Sequence, residues 1–270
     1  MSTTMPAFAP TKERPWQQTT ELVRDLLDRA YKAKQDAQPK RAYLGASMMG
    51  KDCVRAVAFE YHQVPKDPER GFSGQLYRVF DMGHDGEERM AKYLQIAGFS
   101  LRTENRDGSQ FGYAVAGGKM KGHIDGVIVD GPDVGCAWPA LWENKALNAK
   151  GFGDVEDKGI EKAKPLYFAQ VQIYMAYMQL ERCLFTCLNR DTGEVYAEVI
   201  PLDAAKAQAY SDRGVKVIES RQPEDFPRIA REETDYRCRF CDWHDRCWSA
   251  AARVPQSQTR PAPSWLSKGE

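Results

Sequence analysis

At 270 residues the chain is long enough for one sizeable core, and its composition is that of an ordinary globular protein. Lysine and arginine total 38, as do aspartate and glutamate, so the formal charge is zero. That balance excludes a protein that coats nucleic acid nonspecifically and confines any such contact to a local patch. No apolar stretch reaches the length of a membrane span.

Residues 1–14 carry turn formers without periodicity and are expected to be disordered. From Pro15 to about Gln35, Leu22, Leu26, Leu27, Ala30 and Tyr31 recur at helical spacing, which predicts one amphipathic helix. A second helix is expected from Ser47, as N-cap, through Cys53 and Arg55 toward Tyr61, and a third from about Gln75 to Ala97, stopped at Gly98. A β-rich centre follows, with strands near 100–103, 112–116, 121–129 and 140–146 separated by Gly, Asn, Asp and Pro turns. Residues 148–164, rich in glycine and charge, read as a link, either a mobile substrate loop or a plain solvated one. A helix is expected over 165–180, then a hairpin of 183–188 and 194–201, then a long helix over 203–220. The Pro-rich stretch after Val254 is expected to be disordered, leaving one domain over 15–253.

The chemistry concentrates in two places. Gly122-His123-Ile124-Asp125-Gly126 is followed by Leu141-Trp142-Glu143-Asn144-Lys145. On an extended strand Glu143 and Lys145 share a face while Asn144 points away, so a carboxylate and an ammonium enter one pocket. If the Asp125 strand pairs alongside, two acidic groups and one cation converge, which suits a divalent metal and a water nucleophile beside a phosphate. His123, two residues before Asp125, shares its strand face and reads either as a rim residue or, the more frequent case, as a hydrogen-bonded structural histidine. The other place is Cys238, Cys241 and Cys247, a C-x2-C-x5-C cluster whose thiols call for a fourth ligand. Thiolates serve a [4Fe–4S] cluster or tetrahedral zinc equally, and His244 offers a local zinc site. The seven cysteines, an odd number with this spacing, point to a reducing cytoplasm and metal chemistry over a disulfide framework. Cys183 and Cys187 lie in an apolar run and read as buried free thiols.

Taken in order, G-H-I-D-G, W-E-N-K and the Gln170-x-x-x-Tyr174 pair resemble the PD-(D/E)XK nuclease superfamily in its RecB-type branch. The resemblance implies an α/β (α+β) fold with a central mixed sheet flanked by helices. It also implies Mg²⁺ or Mn²⁺ held by Asp125 and Glu143, with Lys145 orienting the water and Gln170 and Tyr174 steadying the site. A helix in the position of 75–97 carries a G-x-x-x-E or G-x-x-x-H element in such nucleases. Gly83 with Glu87 matches it, with Glu88 and His84 as rivals, and the Asn144 carbonyl is a further candidate metal ligand.

Cys53 with Cys238, Cys241 and Cys247 is similar to the set that clamps a [4Fe–4S] cluster around the core of nucleases acting in CRISPR spacer acquisition and in bacterial helicase-nuclease machines. Such a cysteine subdomain would join residues 44–62 to 234–250. The implied activity is a phage-type exonuclease that trims DNA ends for recombination or repair. Arg55, Lys121, Lys150 and Lys164 are candidate DNA contacts, and a recombinase, single-strand-binding protein or helicase is a candidate partner. A structure-specific endonuclease and an end-binding adaptor with vestigial cleavage are the rival readings. A homo-oligomer is left open, and no membrane association is expected.

Overall fold

The computed structural model describes residues 15–249, so the disorder expected for 1–14 and 254–270 lies outside the described residues. The helices are α1 (Pro15–Asp36), α2 (Ala46–Met49), α3 (Val54–Tyr61), α4 (Gly74–Ile96), α5 (Ala149–Ala163), α6 (Pro165–Met178), α7 (Ala204–Glu219), α8 (Tyr236–Arg239) and α9 (His244–Trp248). The strands are β1 (Leu44–Gly45), β2 (Ser100–Arg102), β3 (Gly112–Val115), β4 (Met120–His123), β5 (Gly126–Asp130), β6 (Ala140–Leu147), β7 (Arg182–Asn189) and β8 (Val195–Pro201). The described residues group into two compact units, one of 15–39 and 72–82, the other of 40–71 and 83–249. No described helix is long and apolar enough to cross a membrane.

The smaller unit holds α1 and the opening turns of α4. Arg78 donates to Asp28 at 2.6 Å, and its guanidinium lies 5.8 Å from the centre of the Tyr31 ring. Phe72, Tyr77 and Phe80 meet edge to face nearby.

The larger unit has the mixed α/β architecture expected. Its main sheet runs in the order β2-β5-β6-β7-β8, and a smaller sheet runs β1-β4-β3. In the main sheet β6 and β7 pair in parallel, while β2–β5, β5–β6 and β7–β8 are antiparallel. A parallel pair needs a long crossover, and α5 and α6 supply it. The alternation of strand side chains divides the core in two. Leu141, Cys183, Phe185 and Cys187 pack with Phe152, Val155 and Ile160 of α5 and Phe168, Val171 and Met175 of α6. Ala140, Trp142, Leu184 and Leu188 pack with Met90 and Leu94 of α4. Cys136, Cys183 and Cys187 are buried free thiols.

Three sequence expectations are corrected here. The single helix expected from Ser47 to Tyr61 is two, α2 and α3, and Cys53 sits at the N-cap of the second. The strand expected over 121–129 is β4 and β5, which belong to different sheets and meet at Ile124-Asp125. The link at 148–164 is the helix α5. Asn148 caps it, its side chain accepting from Gly151 N–H at 2.9 Å, and Phe152, Val155 and Ile160 give it a buried face. Gly159, at φ 71°, is where that helix bends.

The cysteine-bearing C-terminal segment is tied to α3 and the loop after it. Trp243 stacks on Phe59 with ring centres 5.6 Å apart and donates its indole N–H to Val64 O at 2.9 Å. Asp67 is buried, and its carboxylate accepts from the backbone N–H of Asp245 at 2.6 Å and of Arg246 at 3.2 Å. Replacing it strands both donors, so Asp67→Ala should cost about 1–2 kcal/mol. The check is the thermal midpoint of the purified protein; an unchanged value would remove this tie from the account.

Candidate active site

The break between β4 and β5 places Asp125 where the two sheets part, rather than within a strand. Its carboxylate accepts from the Asn144 backbone N–H at 2.8 Å, which fixes it to the middle of β6. From that strand Glu143, fully buried, and Lys145, half-buried, project to one face as their spacing requires. Lys145 Nζ donates to Glu143 Oε1 at 2.5 Å and to Asn144 O at 3.1 Å, and lies 5.5 Å from the centre of the Tyr167 ring. The Asn144 side chain turns to the other face, as expected. There Thr186 donates to its Oδ1 at 2.9 Å and itself accepts from the Trp142 indole N–H at 2.9 Å.

Glu87 reaches this group from α4. Gly86 makes that possible: a Cβ there would stand 2.8 Å from Ala146 Cβ, so glycine lets the helix lie against β6. Gly83 has nothing within 4 Å of such a position. Burial and the Asp125 charge push the Glu87 carboxyl up to about 7, while Lys145 draws it down. Burial likewise lifts Asp125, against the pull of Lys145, the Asn144 N–H and His84. Glu143 is pushed up to about 8, first by burial and then by Asp125. Burial works against the Lys145 ammonium, yet the Glu143 and Asp125 charges outweigh it and hold its pKa above the ordinary lysine range. Three carboxylates thus sense one another with a single lysine among them. His84 and Glu88, the rivals of Glu87, are exposed and act on the site only through their charges.

One oxygen stands out. Glu143 Oε2 is buried and has no hydrogen-bond partner, and an unpaired buried carboxylate oxygen is costly unless a cation meets it. Asp125, Glu143 and Glu87 carry hard oxygen donors, the ligand type that Mg²⁺ and Mn²⁺ take. The Asn144 carbonyl, though taken by Lys145, keeps a second lone pair. Among the described residues no group of three or more His, Cys, Asp or Glu is placed to hold a metal ion.

Gln170 and Tyr174 stand one turn apart on α6, both buried, and Gln170 Nε2 donates to the Tyr174 hydroxyl at 2.9 Å. Burial and then the Glu143 charge raise the Tyr174 pKa, so its hydroxyl stays protonated beside the carboxylates. Gly122 leaves room for it, because a Cβ would fall 2.6 Å from Tyr174 Cε1. His123 ends β4 and is exposed. Of the candidate phosphate contacts, Lys150 is exposed, Lys164 is half-buried at the end of α5, and Lys121 lies over the Tyr43 ring at 5.3 Å. Arg55 is corrected: it is buried, donating to Phe226 O at 2.7 Å, Glu224 O at 3.4 Å and Cys247 Sγ at 3.8 Å, and it faces the cysteines rather than a DNA backbone. Tyr167, beside Lys145, was missed; its place two residues into the α6 helix, just ahead of Gln170, was the available signal.

In the second constellation Cys53, at the N-cap of α3, and Cys247 lie near enough to Cys238 and Cys241 for their charges to be felt. Burial raises the Cys238 and Cys241 thiols, and for both the neighbouring Cys53 and Cys247 raise them further. His244 has both ring nitrogens engaged, Nδ1 with Asp245 Oδ1 at 2.8 Å and Nε2 with Glu233 O at 3.2 Å. The Asp245 bond leads in raising its pKa, which favours an imidazolium with no lone pair for a metal.

No family model matches the sequence, and no curated protein does. Among solved structures the chain is similar to an alkaline exonuclease from Laribacter hongkongensis, at 15% identity and TM-score 0.46, over 66% of this chain and 87% of that one. The same enzyme in complex with dAMP gives 16% identity and TM-score 0.43, over 66% and 86%. The protein SSO0001 gives 16% identity and TM-score 0.45, over 86% and 98%. The chemistry here therefore follows from the residues themselves.

Proposed function

We propose that the chain is a metal-dependent deoxyribonuclease that hydrolyses phosphodiester bonds at DNA ends, in recombination, repair or phage DNA processing. The observation that carries this reading is the partnerless, buried Glu143 Oε2 beside Asp125, Glu87 and Lys145. A carboxylate group so arranged is poorly stable by itself and gains from a divalent cation. Asp125, Glu143, Glu87 and the Asn144 carbonyl are the groups that would hold Mg²⁺ or Mn²⁺. When bound, such an ion polarises a phosphate oxygen and lowers the pKa of a coordinated water.

The protein's own groups do the rest. Lys145, held cationic by Glu143 and Asp125, orients the attacking water and meets the negative charge that accumulates on the phosphoryl oxygens. Gln170 donates to the Tyr174 oxygen, which leaves the phenolic hydrogen free to reach an anionic acceptor at the site. Lys121, Lys150 and Lys164 offer charge to the flanking backbone, with affinity that falls as salt rises.

End-labelled single- and double-stranded linear DNA, together with circular DNA, tests the reading in Mg²⁺, in Mn²⁺ and in EDTA. Linear DNA should be degraded from its ends with either metal and circular DNA spared. Absence of cleavage in every metal would reject a nuclease, and equal cutting of circles would select an endonuclease.

We also propose that Cys53, Cys238, Cys241 and Cys247 hold a [4Fe–4S] cluster that staples the C-terminal segment to α3. The charge influence of Cys53 on Cys238 and Cys241 supports it, as does the engagement of both His244 nitrogens elsewhere. Protein isolated without oxygen should be brown, contain iron and acid-labile sulfide, and lose both on Cys53→Ser. Colourless protein with stoichiometric zinc, indifferent to Cys53, would overturn this in favour of a local zinc site.

A further inference from the structure

Where the α8–α9 segment meets the loop after α3 there is an open cavity of about 320 Å³, lined by Arg70, Glu233, Thr234, Arg239 and His244. Its charge is unbalanced. Arg70 Nη1 donates to Arg239 O at 3.2 Å, which leaves most of the Arg70 donors unused, and among the described residues neither guanidinium pairs with a carboxylate. The acids nearby in sequence are taken elsewhere: Asp235 by Arg237 at 2.8 Å, Asp242 by Lys66 at 2.7 Å and Asp245 by His244 at 2.8 Å. Two guanidinium groups and one carboxylate, that of Glu233, remain at the cavity.

The same segment carries the two most exposed aromatic rings among the described residues, Tyr236 at 78% and Phe240 at 82%, against 63% for Trp16. Tyr236 opens α8 and Arg239 ends it, so the two are neighbours on one face, and Phe240 follows directly. A ring left in water forgoes the gain its apolar surface makes on burial unless something stacks on it. Arginine charge interleaved with exposed rings suits a polynucleotide strand, whose phosphates meet the guanidinium groups while its unstacked bases lie on the rings. A duplex keeps its bases stacked on one another and offers the rings little. We propose that Arg70, Arg239, Tyr236 and Phe240 form a binding surface for single-stranded DNA, built from none of the residues of the carboxylate group. Thr234 adds a hydroxyl donor for a phosphate in the cavity. The choice of DNA rests on the nuclease reading above; the surface itself does not.

The test titrates the full chain against a fluorescent single strand of about 16 nucleotides in EDTA, which withholds the metal, and reads affinity by anisotropy at several salt concentrations. Wild type is compared with the double variant Arg70→Gln, Arg239→Gln and with Phe240→Ala and Phe240→Trp, circular dichroism checking the fold of each. The double variant should bind at least about tenfold more weakly and show a salt slope shallower by about 1.4, at ~0.7 per phosphate contact. Phe240→Ala should lose about five- to tenfold, and Phe240→Trp, which keeps a stacking face, should stay near wild type. A duplex of the same sequence should bind wild type about tenfold more weakly than the single strand. Should the double variant fold poorly, Arg239→Gln alone carries the comparison, with a loss of about threefold and a slope change of about 0.7. Equal affinity in every variant would overturn the surface and leave the nuclease reading to its own cleavage assay. Binding that follows the variants, without cleavage in any metal, would keep the surface and reject the nuclease. RNA of the same sequence binding more tightly, or displacement of the strand by millimolar inorganic phosphate at constant ionic strength, would overturn the assignment to DNA, and no strand binding by wild type would overturn it outright.

Discussion

Asp125→Asn should lower DNA cleavage by about 10³-fold or more while the metal-free protein becomes slightly more stable. The two effects share one cause. Asp125 adds to the burden on Glu87 and Glu143, whose carboxyls are already pushed up by burial. An amide removes that repulsion, and its oxygen can still accept from the Asn144 N–H that now binds the carboxylate. Relief on the order of 1 kcal/mol is expected in EDTA, seen as a rise in thermal midpoint. In Mg²⁺ the order should reverse, because the wild type gains from the ion and the variant does not. A variant that keeps cleaving, or that is destabilised in EDTA, would break the link between the carboxylate group and metal-supported chemistry.

Trp142→Ala should be among the most damaging core substitutions, at about 3–5 kcal/mol, on the order of 10 °C in thermal midpoint for a unit of this size. Trp142 is fully buried on the α4 side of β6. Its loss opens a cavity and also removes the donor to Thr186, which in turn holds Asn144 Oδ1. Asn144 carries the site on its backbone, its N–H holding Asp125 and its carbonyl accepting from Lys145. Activity of the surviving folded fraction should therefore fall as well. Trp142→Phe, which refills most of the space but lacks the N–H, should cost less. Urea unfolding of the three proteins distinguishes them, and an alanine cost below about 1 kcal/mol would contradict the packing account.

Much of the larger unit was legible in the sequence where periodicity is strong. Helices α4, α6 and α7 and the β7–β8 hairpin fall within a few residues of their expected bounds. The facing of Glu143 and Lys145 was legible for the same reason, since strand alternation is local. What failed depended on contacts far along the chain. Residues 121–129 alternate well enough to read as one strand, and nothing local says that Met120–His123 pairs with β1 and β3 while Gly126–Asp130 joins β2 and β6. The α5 segment reads as a link because Gly151, Gly153 and Gly159 sit among charges, although Asn148 and the spacing of Phe152, Val155 and Ile160 carry the helix signal. Arg55 resembled a surface cation because its acceptors, Glu224, Phe226 and Cys247, lie more than 160 residues away.

That separation also sets an order of events during synthesis. Helix α3 leaves the ribosome long before the acceptors of Arg55 and the Trp243 partner of Phe59 exist, Phe226 standing 171 positions after Arg55. The nascent polypeptide must therefore carry a cation and an aromatic ring without their native neighbours through most of translation. Closure of this region waits until those residues have emerged, and a chain truncated before residue 224 would lack every acceptor of Arg55.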